Sequence, residues 1–296
     1  HKVGLGASPT TKQPAKSDEI NQLWELMLIN QLHDILPGTC IPRAHKESKA
    51  QTSHIIRRTK ELIAEYAEND EKAVTFTNTL SFDRDDALIA KIPKGYLLEC
   101  DYPQQAYENL DGEYCVIVSG FVLPAFSSVT FKLKKSSAES LTKGEGKAFR
   151  LKGNSLLTRF AKIKFDKRGY ISSFIDLSSG RELVGGMPFN TFIIAEDLPS
   201  SWDNWDVDAD IEGKFKDCAQ LVSRETVSRG ALALVIRSKY RITPKSTITQ
   251  DMMFFSNSKQ VRFDLLMDWH DDHRFLKAVF DTSIMQDFTR CEIQFG

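Results

Sequence analysis

The sequence has no run of 18 apolar residues, no charged-then-apolar segment at its start, no N-x-S/T sequon and no cysteines at CxxC spacing. The first two absences argue against a membrane span and against secretion of the chain as given, because a spanning helix needs about 20 mostly apolar residues. The five cysteines, Cys40, Cys100, Cys115, Cys218 and Cys291, are scattered and odd in number. That pattern fits reduced thiols in a cytoplasmic protein better than a disulfide framework, and the missing sequon agrees with it. An excess of either charge is lacking too: Lys+Arg 39 against Asp+Glu 40 leaves a net charge of -1. No overall field recruits nucleic acid or an anionic membrane. GxSxG, P-loop, GxGxxG and HExxH motifs are all missing, so hydrolase-triad, nucleotide and zincin chemistry has no motif to stand on.

What is present is an apolar stretch, Leu23 to Thr39, LWELMLINQLHDILPGT. Leu23, Trp24, Leu26, Met27, Leu28, Ile29 and Leu32 cover nearly the whole circumference of a helix, which predicts a central helix packed on several sides. Ser17 or Asp18 can cap it, and residues 1–17, rich in Gly, Pro, Lys, Ser and Thr, read as a tether. His33 and Asp34 fall in its expected last turn, and Pro37-Gly38 stops it. Pro42 then opens a second, amphipathic helix expected to run to about Asn69, antiparallel to the first. Its His45 and His54 read as solvated surface. Residues 18–70 thus form a helical-bundle segment.

From Ala73 the texture changes to short β-type runs, 74–77, 87–92, 114–118 and 128–134, parted by Pro, Gly, Asn and Asp. They define a small β domain over 73–135. Residues 136–148 have the composition of a linker. The stretch 149–296 holds a hairpin around Asp166-Lys167-Arg168-Gly169 and longer strands at 231–242, 246–255 and 260–269. In the last, Val261, Phe263, Leu265, Met267 and Trp269 alternate with Arg262, Asp264 and Asp268, as in a half-buried antiparallel strand. The 296 residues suffice for two or three domains. The fold class expected is multidomain, α then β: a helical-bundle segment, a small β domain and an antiparallel β-sandwich.

Four segments resemble glycoside hydrolase family 38, the retaining α-mannosidases. NQLHDILPGT, with Trp24 upstream, resembles the family's NQFHDILPGS and departs from it by Leu32 for an aromatic and by Thr39-Cys40 for two small residues. FDKRGYISSFIDLSSGRELV, WDNWDVD and DWHDDHRFLKAVF resemble three later family motifs in the same order. The resemblance implies that His33 is a ligand of an active-site zinc and that Asp34 contacts sugar hydroxyls of a mannose-containing oligosaccharide. It also implies that the nucleophile, the acid/base carboxylate and the other zinc ligands lie in an N-terminal barrel, for which the 22 residues before Leu23 leave no room. The expected entity is therefore a fragment of a longer enzyme, carrying no catalytic residue of its own and inactive in isolation.

Trp202, Asp203, Trp205 and Asp206 combine aromatic faces with carboxylates, the chemistry of a carbohydrate contact. The structural alternative is a loop whose tryptophans plug a junction. Asp268, His270, Asp271, Asp272 and His273 could hold a divalent ion or form a solvated turn. The competing class of function is a stand-alone carbohydrate-binding or interaction module that uses the WDNWD loop. An apolar patch left exposed would serve as a homo-oligomer surface or as the face of the missing domain.

Overall fold

The structure, a computed structural model, describes residues 13–66, 72–136, 148–203 and 205–291. Two helices come first, α1 (Gln13–Ile29) and α2 (Pro42–Tyr66). The strands that follow are β1 (Ala73–Thr77), β2 (Leu88–Lys91), β3 (Tyr96–Leu98), β4 (Gln104–Glu108), β5 (Tyr114–Val118) and β6 (Ser128–Lys135). Next come β7 (Arg150–Lys152), β8 (Ser155–Leu157), β9 (Ala161–Phe165), β10 (Ile171–Asp176) and β11 (Thr191–Glu196). After a 3-10 turn at Ala209–Gly213 the series ends with β12 (Lys216–Asp217), β13 (Gln220–Arg229), β14 (Ala233–Arg241), β15 (Thr247–Phe255), β16 (Val261–Asp268) and β17 (Arg274–Val279). The described chain is thus mostly antiparallel β structure with two helices. It divides into two compact units, one of His1–Asp85, Val122–Leu133 and Asp197–Gly213, the other of Asp86–Phe121, Lys134–Glu196 and Lys214–Gly296. The strands of residues 73–135 are shared out accordingly: β1 and most of β6 lie in the first unit, β2 to β5 in the second.

In the first unit α1 and α2 bury Leu23 and Leu62 and are tied by Glu19–Arg58 and Lys16–Glu65 ion pairs. The expectation of a helix packed on several sides is corrected here. Trp24, Leu28 and Ile29 are 55–61% exposed, since apolar periodicity reports what a helix could bury, not what covers it. The helix also starts earlier, at Gln13, and ends at Ile29, ahead of His33. Asn30 is where it stops. Its Nδ2 donates to the Leu26 carbonyl at 2.8 Å, the acceptor that its own backbone N–H reaches at 3.3 Å, and to Gln51 Oε1 on α2 at 2.9 Å. A side chain that claims the i−4 carbonyl competes with the helix. The next amides, of Gln31 and Leu32, reach back only three residues, to Leu28 and Ile29. Beyond the helices, β1 pairs antiparallel with β6. The buried Asn78 then closes this unit's β segment, donating to the carbonyls of Phe82, Leu123 and Pro124 and accepting the Leu80 N–H.

The second unit is built on the sheet β13-β14-β15-β16. Leu234, Ile236, Met252 and Phe254 on one face join a core with Phe149, which precedes β7, and with Leu156, Ile163, Phe165 and Ile171 from the sheet β10-β9-β8-β7. On its other face Ala233, Val235 and Met253 pack with Tyr107, Cys115 and Ile117 from β2-β5-β4. Covered on both sides, β14 reads ALVI without alternation. The hairpin β9–β10 forms where FDKRG predicted it: Asp166 Oδ1 accepts the N–H groups of Arg168 and Tyr170, and Gly169 supplies a φ of 83°. The alternation expected along β16 holds only for its first half. Val261 and Phe263 pack on the core, whereas Leu265 and Met267 are 44% and 48% exposed.

Candidate functional site

The segment after α1 carries His33 and Asp34 on a run of turns, not in the helix's last turn as the sequence suggested. Ile35 and Leu36 donate to the Leu32 carbonyl, and Gly38, with φ 79°, donates to Ile35. The Asp34 carbonyl accepts the Cys40 N–H at 2.9 Å and the Thr39 hydroxyl at 3.3 Å. These bonds fold LHDILPGT back on itself and leave both side chains outside. The His33 and Asp34 side chains are 75% and 50% exposed, with Nε2 and Oδ1 3.6 Å apart.

Residues 200–208 belong to the same unit. Asp208 accepts the Ser200 N–H at the base of this loop. At its tip the Trp202 carbonyl takes the N–H groups of Trp205 and Asp206 at 2.8 and 2.9 Å. Trp202 itself sits at φ 58°, a left-handed backbone that non-glycine residues rarely hold. The turn brings the Trp205 ring against the His33 imidazole, centroids 6.4 Å apart and planes at 66°. Between the two segments lies a cleft of about 660 Å³, lined by Asp34, Ile35, Thr39, Ile41, Trp202, Asp203 and Trp205 among others. Three of the four carbohydrate candidates in the 202–206 loop therefore share a cleft with Asp34. Asp206 does not line it, and its carboxylate accepts the Val207 N–H. No pattern in the sequence indicates that Trp205 meets His33, or that Thr39 and Ile41 face the same space.

The donor set bears on the zinc implied by the resemblance. Among the described residues no three His, Cys, Asp or Glu side chains gather as a metal site. His33 offers a single exposed imidazole, so the described residues do not by themselves make a site that fits zinc. The 268–273 cluster is a hydrogen-bonded turn. Asp271 accepts the hydroxyls of Thr243 and Ser246, Trp269 Nε1 donates to the Asp271 carbonyl, and His270 meets Asp268 at 2.7 Å.

Known proteins place this arrangement. Residues 6–69 match the α-mannosidase middle domain, and residues 156–296 match the glycosyl hydrolases family 38 C-terminal domain. The chain is 25% identical over 288 residues to human α-mannosidase 2C1, covering 94% of this chain and 26% of that protein. It is likewise 25% identical over 295 residues to an α-mannosidase of Saccharomyces cerevisiae, covering 96% of this chain and 24% of that protein. The crystal structure of an α-mannosidase from Enterococcus faecalis shares the fold, with a TM-score of 0.60 at 13% identity, over 91% of this chain and 39% of that one. Both matched regions are successive parts of one class of protein, the glycosyl hydrolases. The chain belongs to family 38 of that class, the family of the α-mannosidases. It spans about a quarter of the length of the curated relatives it matches. No helix among the described residues is long and apolar enough to cross a membrane.

Proposed function

We propose that this chain is part of a zinc-dependent retaining α-mannosidase that removes terminal α-mannosides from mannose-containing oligosaccharides in the cytoplasm. In this reading His33 supplies one zinc ligand and Asp34 accepts hydrogen bonds from sugar hydroxyls. The other zinc ligands, the nucleophile and the acid/base carboxylate come from an N-terminal barrel outside this sequence, so the 296 residues alone do not turn over a glycoside. Bound zinc would supply Lewis-acid stabilisation. The paired carboxylates of a retaining glycosidase stand about 5–5.5 Å apart across the sugar, a task assigned here to no residue of this chain. The architecture that goes with the proposal is a helical-bundle segment over 18–70, a small β domain over 73–135, a linker over 136–148 and a β-sandwich over 149–296.

One observation carries the reading: His33 and Asp34 are exposed on a tightly bonded turn beside a cleft, where an imidazole and a carboxylate can reach a ligand. Sealed under aliphatic side chains they could not. The exposed tryptophans of the 202–205 turn support a second reading, a stand-alone carbohydrate-binding module. The test is hydrolysis of an aryl α-mannoside by a form of the protein extended at its N-terminus, with and without His33→Ala. The proposal expects the substitution to cut kcat/KM by at least the 10–100-fold typical of disturbing a metal site's partners, and added zinc not to restore it. Undiminished hydrolysis in His33→Ala would remove His33 from the mechanism. An extended form with no hydrolysis at all would favour the module.

A further inference from the structure

The sheet β13-β14-β15-β16 has two outer strands, and they are finished differently. β13 is mostly polar and breaks register twice against β14, between Leu221 and Ser223 and between Thr226 and Ser228, as edges protected from further pairing commonly do. β16 has no such break. It pairs with β15 in regular register up to Asp268, holds no proline, and among the described residues has no second neighbour. The N–H and C=O groups of alternate residues therefore point outward along its length. Leu265, Leu266 and Met267, three in succession and on both faces, are 44–48% exposed. Phe280, also exposed, rests against the Phe263 ring with centroids 5.4 Å apart and widens this apolar margin. A regular edge with apolar side chains is a template for one more strand.

The charges of β16 select that strand. Laid antiparallel to its own copy with the two-fold axis at Leu265, β16 sets Arg262 opposite the partner's Asp268, Phe263 opposite the partner's Met267, and Leu265 opposite the partner's Leu265. Leu266 and the partner's Leu266 become diagonal neighbours on the other face. Moving the axis by one residue either way sets Asp264 against the partner's Asp264 or the partner's Asp268, which repels. An axis between two residues turns the apolar row of Val261, Phe263, Leu265 and Met267 against the polar one. Asp264 of the same chain takes only the Nε donor of Arg262, and a guanidinium has five donors to offer.

We propose that this chain forms a two-fold dimer by antiparallel pairing of β16 with β16 of a second copy, which joins the two sheets into one. The pairing uses no zinc, nucleophile or sugar and stands apart from the α-mannosidase reading.

Sedimentation equilibrium of the chain over a range of concentrations tests it. The parent should show a reversible equilibrium between monomer and dimer. Arg262→Asp and Asp268→Arg each bring like charges together at both ends of the paired strands, and each should weaken the dimer about tenfold. Mixed in equal amounts, the two variants should form a heterodimer as tight as the parent dimer, because opposite charges then face each other at both ends. That recovery also shows that both variants are folded. Leu265→Lys, which places two cations at the axis, should leave monomer. A parent that stays monomeric at every concentration overturns the proposal. A dimer indifferent to Leu265→Lys and to both charge variants lies on another surface and overturns it too, as does a mixture that associates no more tightly than either variant alone.

Discussion

The carboxamide of Gln105 grips Ala233 at both ends of its peptide, donating from Nε2 to the Ala233 carbonyl at 2.8 Å and accepting the Ala233 N–H on Oε1 at 2.9 Å. Oε1 also takes the Leu232 N–H, and Nε2 also reaches the Ser228 hydroxyl. One side chain from β4 thereby replaces the ladder bonds missing at the β13–β14 turn, and both residues are fully buried. Gln105→Leu keeps the volume and orphans these groups. Its expected cost is about 3–5 kcal/mol, since each buried unsatisfied group costs about 1–3 kcal/mol. Gly230 leaves room for the same amide: a Cβ there would lie 2.4 Å from Gln105 Cδ. Gly230→Ala should therefore be costly alone and nearly free in a Gln105→Ala background. Urea unfolding of the two single variants and the double variant checks this coupling. Additive losses would contradict it.

Glu182, in the SSGRE segment, gives a pH-dependent counterpart. Burial pulls its carboxyl upward, but the Ser173 hydroxyl and the N–H groups of Phe174, Val184 and Leu183 outweigh it, and the pKa lies below the usual glutamate value. A depressed carboxyl adds stability that is present above its unfolded pKa, about 4.3, and is lost as pH falls through the lower folded value. The second unit should thus lose stability below about pH 4.5 more steeply in the parent than in Glu182→Gln. At neutral pH Glu182→Ala should cost about 2 kcal/mol through its unpaired amides. Thermal unfolding between pH 3 and 7 measures both. A variant with the parent's acid slope would show that the charge on Glu182 is idle.

These two residues mark where the sequence was legible and where it was not. SSGRE was visible as a motif with a turn, and the turn chemistry of Asp166 and Gly169 was readable because it acts within five residues. The start of helix α2 at Pro42 is legible because proline fixes the first turn. Gln105 could not be read, because its partners lie more than 120 residues away and a lone glutamine has no pattern. The sequence misplaces the end of α1 by at least five residues, with Asp34 inside the expected last turn and Ile29 the observed end, for a related reason. Asn30 looks like any polar residue in a helix until Gln51 and the Leu26 carbonyl are seen to hold it. His33 and Asp34 stand out from their own segment, yet the cleft they border depends on a tryptophan turn far along the chain.

That turn allows its two readings, contact surface or structural plug, to be separated by stability alone. Trp202 occupies the left-handed region at φ 58°, where a side chain costs about 1 kcal/mol and glycine costs nothing sterically. Its indole is 75% exposed, so removing the ring forfeits little burial. The backbone carbonyl that anchors Trp205 and Asp206 remains in any variant. Against the relieved strain stands the greater freedom that glycine gives the unfolded chain, roughly 0.5–1 kcal/mol. The two nearly cancel, so Trp202→Gly should leave the melting temperature within about 3 °C of the parent or raise it. A plug predicts the opposite, because an indole filling a junction contributes several kcal/mol and its loss lowers the melting temperature by several degrees. Differential scanning calorimetry of parent and Trp202→Gly decides the matter. A clear drop would return Trp202 to the scaffold, and an unchanged or raised transition removes the plug reading.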